Sequence, residues 1–488
     1  MVWRFLCCLL AFGCLGFAQR YVDAACPSRL LIGLEASVAR SLRCGTLQVP
    51  ENRQVPDRTI ALSVLIAPSH SATPAEPIIF LQGGPGGASL ATLPWWLASP
   101  LRANHDIILV DQRGTGYSRP SLSCPELRQT DNPVMAMRAC RQRLERAGID
   151  LTAYNSRETA QDIQDLRRAL GLEAVNLLGV SYGSRLALTI LRDAPDGIRS
   201  VILDSVYPPQ VERMVGLGPN FARALHEVFR SCRAQPACAS QYPDLEGIFY
   251  QAIAQLNATP LPSPLISVDG NVLLNLLFQA MYQTQVGPYL PYSMQRLAEG
   301  DILTTLALLS GIKAETLADT QLTIAALLQL LSEAVRLLFA NVQSEGVYFS
   351  TECQEDMLFQ TPAAIRRKSA ALPEVLAAFI DHRINELFAI CAVWGVARAD
   401  AAESQAIRSD IPTLLLAGTF DPITPPVWAE LAARTLTNST LVVLPGVAHG
   451  AFDANDCVAK IILEFLADPQ QTPDITCVSE LSVQFYVP

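Results

Sequence analysis

Val175-Asn176-Leu177-Leu178-Gly179-Val180-Ser181-Tyr182-Gly183 is the stretch on which the reading of this chain turns. An apolar run leads straight into a Gly-x-Ser-x-Gly pentapeptide, and the residues after it carry Leu186, Leu188 and Ile190. That order predicts a strand, a sharp turn and a helix, with the serine hydroxyl raised above the end of a sheet. Five residues alone are weak evidence. Two later segments give them weight. Gly418-Thr419-Phe420-Asp421-Pro422 follows an apolar run over 411–417, and Gly446-Val447-Ala448-His449-Gly450 follows another over 440–444.

Serine, then aspartate, then histidine is the chain order of the α/β-hydrolase fold. A serine hydroxyl is a poor nucleophile at neutral pH unless a base takes its proton during attack. The chain has five histidines, and only His449 stands where a base is needed. His70 and His105 precede the elbow, and His226 and His382 fall in a later helical segment. An unperturbed imidazole titrates at about pH 6.5, which suits it to general-base work. Asp421 would accept the other imidazole N–H, fix the tautomer and stabilise the imidazolium. Ser181, Asp421 and His449 are therefore the predicted catalytic residues of a serine hydrolase. The oxyanion needs donors too: the Tyr182 N–H is one, and the turn Gln82-Gly83-Gly84-Pro85-Gly86-Gly87 supplies the other, at Gly84. That turn has neither the G-x-G-x-x-G nor the P-loop spacing, so it is not read as a phosphate cradle.

Outward from the elbow, strands are predicted over 59–67, 77–81, 106–110 and 201–203, and a helix over 156–170 stopped by Gly171. From about 210 to 400 the strand signal fades and helical spacing takes over, as in the leucine-rich 325–340 with polar breaks at Gln329, Glu333 and Arg336. The predicted fold is α/β, a mostly parallel central sheet flanked by helices, with a large inserted helical cap. The expected organisation is a signal peptide over 1–25, core over 26–209, cap over 210–400 and core again over 401–488.

With 488 residues, half of them hydrophobic, the chain can bury a large core. Its net charge of -10 argues against a nucleic-acid partner. Arg4 precedes an apolar run over 5–18 that is too short to span a bilayer comfortably, and no integral membrane span is expected. Small residues at Gly16 and Ala18, or at Val22 and Ala24, offer signal-peptidase sites. The mature protein is thus expected to be exported, periplasmic or secreted. Lipid anchoring through Cys14 is disfavoured by bulky Phe12 two residues before it. Beyond that leader the cysteines fall as sequence neighbours, suggesting the pairs 26–44, 124–140, 232–238, 353–391 and 457–477. No C-x-x-C or H-E-x-x-H occurs, so neither a metal nor another cofactor is expected.

Taken together, Gly83-Gly84-Pro85-Gly86, Asp111-Gln112-Arg113-Gly114-Thr115-Gly116 and the serine pentapeptide resemble the prolyl iminopeptidase and tripeptidyl aminopeptidase group of α/β-hydrolases. The likeness continues through residues 418–425 and His449-Gly450, and the last cysteine pair fits the secreted tripeptidyl branch. Gln82 stands where prolyl iminopeptidases commonly have histidine, which weakens strict proline specificity. The resemblance implies an aminopeptidase whose partner is a peptide with a free N-terminus. Carboxylates in the cap would hold the substrate's ammonium, and Glu352, Glu355 and Asp356 around Cys353 are the candidates. A Cys353–Cys391 disulfide would stiffen that loop. Arg113 is expected to pair with a carboxylate beneath the site. A carboxylesterase or other acyl hydrolase would use the same triad, and a non-catalytic binding protein of hydrolase fold is the third alternative.

Overall fold

The structure, a computed structural model, describes residues 20–261, 268–319 and 343–488. Its strands are β1 Arg20–Ala24, β2 Arg43–Pro50, β3 Thr59–Ala67, β4 Ala75–Leu81, β5 His105–Val110, β6 Val175–Val180, β7 Ile198–Asp204, β8 Thr413–Gly418 and β9 Ser439–Leu444. They form one sheet in the order β1-β2-β3-β5-β4-β6-β7-β8-β9. The pairings from β1 through β3 to β5 are antiparallel, and every pairing from β5 to β9 is parallel. The parallel part is covered on both faces, which is why its strands read as continuous apolar runs. Alternate residues serve opposite layers. Ile79, Leu177 and Leu203 face one layer with Leu186 and Ile190, whereas Phe80, Leu178 and Ile202 face the other with Trp96 and Phe465.

Residues 20–24, which fall within the expected leader, form the edge strand β1. Asp23 and Ala24 lie opposite Gly45 and Cys44, and the Tyr21 ring lies over Gly45, where a β-carbon would have to push the ring aside. The segment 20–24 is too polar to extend the apolar run that ends at Ala18.

Between β7 and β8 the described residues form helices and isolated bridges: Leu261 pairs with Val268, Gln343 with Gly87 and Ser409 with Leu436. Helices Arg213–Ala234, Leu245–Ala258, Gly270–Ala280, Leu290–Ala298, Glu345–Glu355 and Glu374–Trp394 pack a core of their own around Phe221, Phe229, Phe249 and Trp394. The helix read over 325–340 lies outside the described residues. Among the described residues no helix is long and apolar enough to cross a membrane.

Disulfides join Cys26–Cys44, Cys124–Cys140, Cys232–Cys238, Cys353–Cys391 and Cys457–Cys477, the neighbour pairs expected. Arg113 is buried and pairs with a carboxylate, the pairing expected of it. Its Nε and Nη2 each donate at 2.8 Å to Asp162, and Nη1 donates to the carbonyls of Glu51 and Ala153. One guanidinium thereby ties the loop after β5 to β2 and to the helix Ser156–Ala169.

Candidate active site

β6 ends at Val180 and the next helix, Tyr182–Asp193, begins at Tyr182, so Ser181 makes the turn alone, at φ 59° and ψ -123°. A side-chain-bearing residue in that region is strained, and strain persists only where the surroundings enforce it. Here Ser181 N–H donates to Asp204 O at 2.9 Å, and Ser184 donates from both N–H and Oγ to Ser181 O. The flanking glycines permit the close approach. A β-carbon on Gly183 would sit 1.9 Å from Leu81 O, and one on Gly179 would sit 2.2 Å from Gly183 O.

Asp421 follows β8 and His449 follows β9, so parallel strands deliver both to the edge where Ser181 stands. His449 Nδ1 lies 2.8 Å from Asp421 Oδ2. The carboxylate also accepts from Thr424 Oγ1 at 2.6 Å and from the N–H groups of Ile423 and Thr424. Burial opposes its ionisation, but His449 and these donors outweigh burial and hold Asp421 below the usual carboxylate range. Burial likewise opposes the imidazolium, yet the Asp421 charge and hydrogen bond, with Asp204 beyond, keep the His449 pKa above its ordinary value.

The glycine turn after β4 lies against the elbow. A β-carbon on Gly83 would come within 3.0 Å of Ser181 Cβ and 3.6 Å of its Oγ. Gly83 N–H is taken by Gln82 Oε1 at 2.9 Å. Among the described residues no acceptor is found for the N–H of Gly84, whose φ of 121° calls for glycine. Tyr182 N–H, in the first turn of its helix, has no intrahelical acceptor either.

Ser181, His449, Gly84 and Glu352 line one cavity of about 530 Å³, walled also by Arg213, Tyr282, Phe278, Leu387 and Ile423. Of the three candidate carboxylates Glu352, Glu355 and Asp356, only Glu352 reaches it. Glu352 Oε2 accepts from Nε and Nη2 of Arg213. Burial pushes its carboxyl pKa up, and Arg213 offsets part of that rise. Glu355 turns away and accepts from Ser156 N–H and Oγ, with Arg185 beside it. Asp356 lies behind Arg213, accepting from its backbone N–H and from Gln360. The three do not sit on a loop: Glu352 and Glu355 belong to the helix Glu345–Glu355, and Asp356 ends it at φ -129° and ψ -67°. A larger cavity of about 800 Å³ shares Gln343 and Glu345 with it, and none of Ser181, Asp421 and His449 lines that one.

Two residues of the site had no sequence signal. Arg213 belongs to no motif, yet it carries the charge that faces Glu352. Asp204 read only as the end of a strand. Its buried carboxylate accepts the N–H groups of Ala451 and Phe452, while Ser205 Oγ accepts that of Gly450, so β7 holds the histidine loop. Burial, offset partly by those donors, pushes Asp204 up to about 6.

Comparison with known proteins agrees with this geometry. Residues 76–266 match the family model described as alpha/beta hydrolase fold, and residues 377–477 match the one described as TAP-like protein. The chain is 24% identical over 482 residues to YuaR of Escherichia coli (strain K12), covering 91% of this chain and 89% of that protein. It is 22% identical over 470 residues to serine protease Hip1 of Mycobacterium tuberculosis (strain ATCC 25618 / H37Rv), covering 87% and 84%. It is 28% identical over 207 residues to tripeptidyl aminopeptidase of Streptomyces lividans, covering 36% and 38%. A mostly parallel sheet, a strained serine at the end of β6 and these matches make the chain a hydrolase of the TAP-like group of α/β-hydrolases.

Proposed function

We propose that the chain is an exported serine aminopeptidase that releases residues or short peptides from free N-termini. Ser181 Oγ attacks the scissile carbonyl while His449 takes its proton, and Asp421 holds the imidazolium that results. The N–H groups of Gly84 and Tyr182 receive the oxyanion, His449 returns the proton to the leaving amine, and water then cleaves the acyl-enzyme. One observation carries the specificity: Glu352, a buried carboxylate of the cap, lines the cavity of Ser181 and His449. A substrate ammonium placed there would give Glu352 a second cationic neighbour beside Arg213. The disulfides and the apolar N-terminal run support export.

The test compares a peptidyl arylamide bearing a free N-terminus with its N-acetylated twin. Only the free form should be cleaved, and Ser181→Ala should abolish turnover. Glu352→Gln should raise KM roughly 10- to 100-fold with kcat much less changed, since a hydrogen bond to a charged group contributes about 1.5–3 kcal/mol. Equal cleavage of the two substrates would leave a serine hydrolase that is not an aminopeptidase.

A further inference from the structure

We infer that Arg223, helped by Asn220 one turn earlier, is a positioning residue for the catalytic acid, so that the cap helix Arg213–Ala234 is part of the triad's scaffold. The loop leaving β8 presents three alternate carbonyls to this one helix. Arg223 Nη1 donates to Thr419 O at 2.8 Å and Nη2 donates to Asp421 O. Asn220 Nδ2 donates to Ile423 O at 3.0 Å. Residues three apart share a helix face, so the two side chains form one clamp. The bonds that Asp421 makes to Ile423 and Thr424 fix its carboxylate within the loop. Arg223 and Asn220 fix the loop against the cap.

The base is held from the same side. Ala448 N–H donates to Thr284 Oγ1 at 3.1 Å, and the Tyr282 ring lies 4.6 Å from the His449 ring. The clamp helix begins at Arg213, the partner of Glu352. Arg223 stands ten residues on, about 15 Å along the axis at a rise of about 1.5 Å per residue. One rod therefore touches both the carboxylate proposed to meet the substrate and the loop that carries the acid.

The inference rests on the triad reading, and the test separates the two. In the full chain, Arg223→Met removes the donors at little cost in volume, Arg223→Lys keeps the charge, and Asn220→Ala removes one donor. The readouts are kcat and KM on the free-N-terminus arylamide, the rate of fluorophosphonate labelling of Ser181, the pH profile and the urea midpoint. His449 is faced by Asp421, by Asp204 beneath, by Tyr282 from the cap, and across the cavity by Arg213, Arg383, Glu345 and Glu352. Arg223→Met alters the Asp421 contact and also removes the cation beside Asp421, whereas Asn220→Ala alters the contact and removes no charge. Arg223→Met should lower kcat and labelling about 10- to 100-fold, the scale of a displacement near 1 Å, with KM within about twofold. In Asn220→Ala, which removes no charge, the acid limb should move to lower pH as His449 loses part of the Asp421 field, and Arg223→Lys should retain part of the kcat that Arg223→Met loses. Unaltered kcat in a folded Arg223→Met protein would overturn the assignment. So would a kcat that falls only with the folded fraction. If that variant does not fold, Asn220→Ala should show the same loss of kcat at smaller amplitude, and an unchanged kcat and pH profile would overturn it equally. Turnover or labelling retained by Ser181→Ala would defeat the triad reading itself.

Discussion

Gly183→Ala offers a demanding test of the elbow, because the structure gives the size of the conflict. The new methyl carbon would lie 1.9 Å from the carbonyl oxygen of Leu81 and 2.7 Å from its carbon. Both are backbone atoms at the end of β4, so no side chain can swing away. Real contacts stay above 3.0 Å, so the helix Tyr182–Asp193 and β4 must part by about 1 Å. Overpacking of this kind costs about 1–3 kcal/mol. The catalytic loss should be larger. Tyr182 N–H and Ser181 ride on the displaced turn, and a misplacement near 1 Å costs on the order of 100-fold in rate. The assay pairs kcat on a free-N-terminus arylamide with urea unfolding. Gly171→Ala serves as control, since that residue has φ 67° and open space around it. The control should lose about 1–2 kcal/mol of stability to its left-handed backbone and keep its activity per folded molecule. A Gly183→Ala enzyme with normal kcat and a normal urea midpoint would refute the reasoning.

Other outcomes follow from the charges and the bridges. The folded pKa of His449 is raised above 6.5, so its protonated form stabilises the fold below that pH, and this contribution is lost as pH rises through the folded value. Turnover needs the neutral base, so kcat/KM should climb with pH along a limb centred above 6.5; a limb at or below it would contradict the Asp421–His449 pair. Replacing both cysteines of Cys353–Cys391, 38 residues apart, should cost about 4 kcal/mol, against about 2 kcal/mol for Cys232–Cys238, 6 apart, on chain-entropy grounds. Equal shifts in urea midpoint would show that loop length does not govern these bridges.

The parallel strands, and the convergence of Ser181, Asp421 and His449 at their ends, were legible because each rests on local order: an apolar run, a glycine-bounded turn, a residue with chemistry. β3 was read at its observed limits, 59–67, and Ser181, Asp421 and His449 stand at strand ends as expected. β1 and β2 were missed for opposite reasons. β1 adjoins an apolar leader-like run, and β2 confines its alternation to Thr46-Leu47-Gln48-Val49, bounded by Gly45 and Pro50, residues that ordinarily mark turns. The acidic cluster shows a deeper limit. Positions 352, 355 and 356 fall within one helical turn, so periodicity groups them. Which one reaches the cavity was decided by partners far away in sequence: Arg213 for Glu352, Ser156 and Arg185 for Glu355. Asp204 was illegible for the same reason, since its acceptors' partners, Ala451 and Phe452, come almost 250 residues later, at separations of 247 and 248.

From Cys26 onward, each bridge joins a cysteine to the very next one in the chain. A chain that meets an oxidant N-terminus first would therefore expose, from Cys26 onward, no more than one unpaired thiol of this set at a time. Every second cysteine to emerge would find a single free partner, and that partner is the native one. Oxidation in order of emergence then builds the whole set with no reshuffling. Refolding from the fully reduced chain, where all ten thiols compete at once, loses this ordering and should be slow without an isomerase.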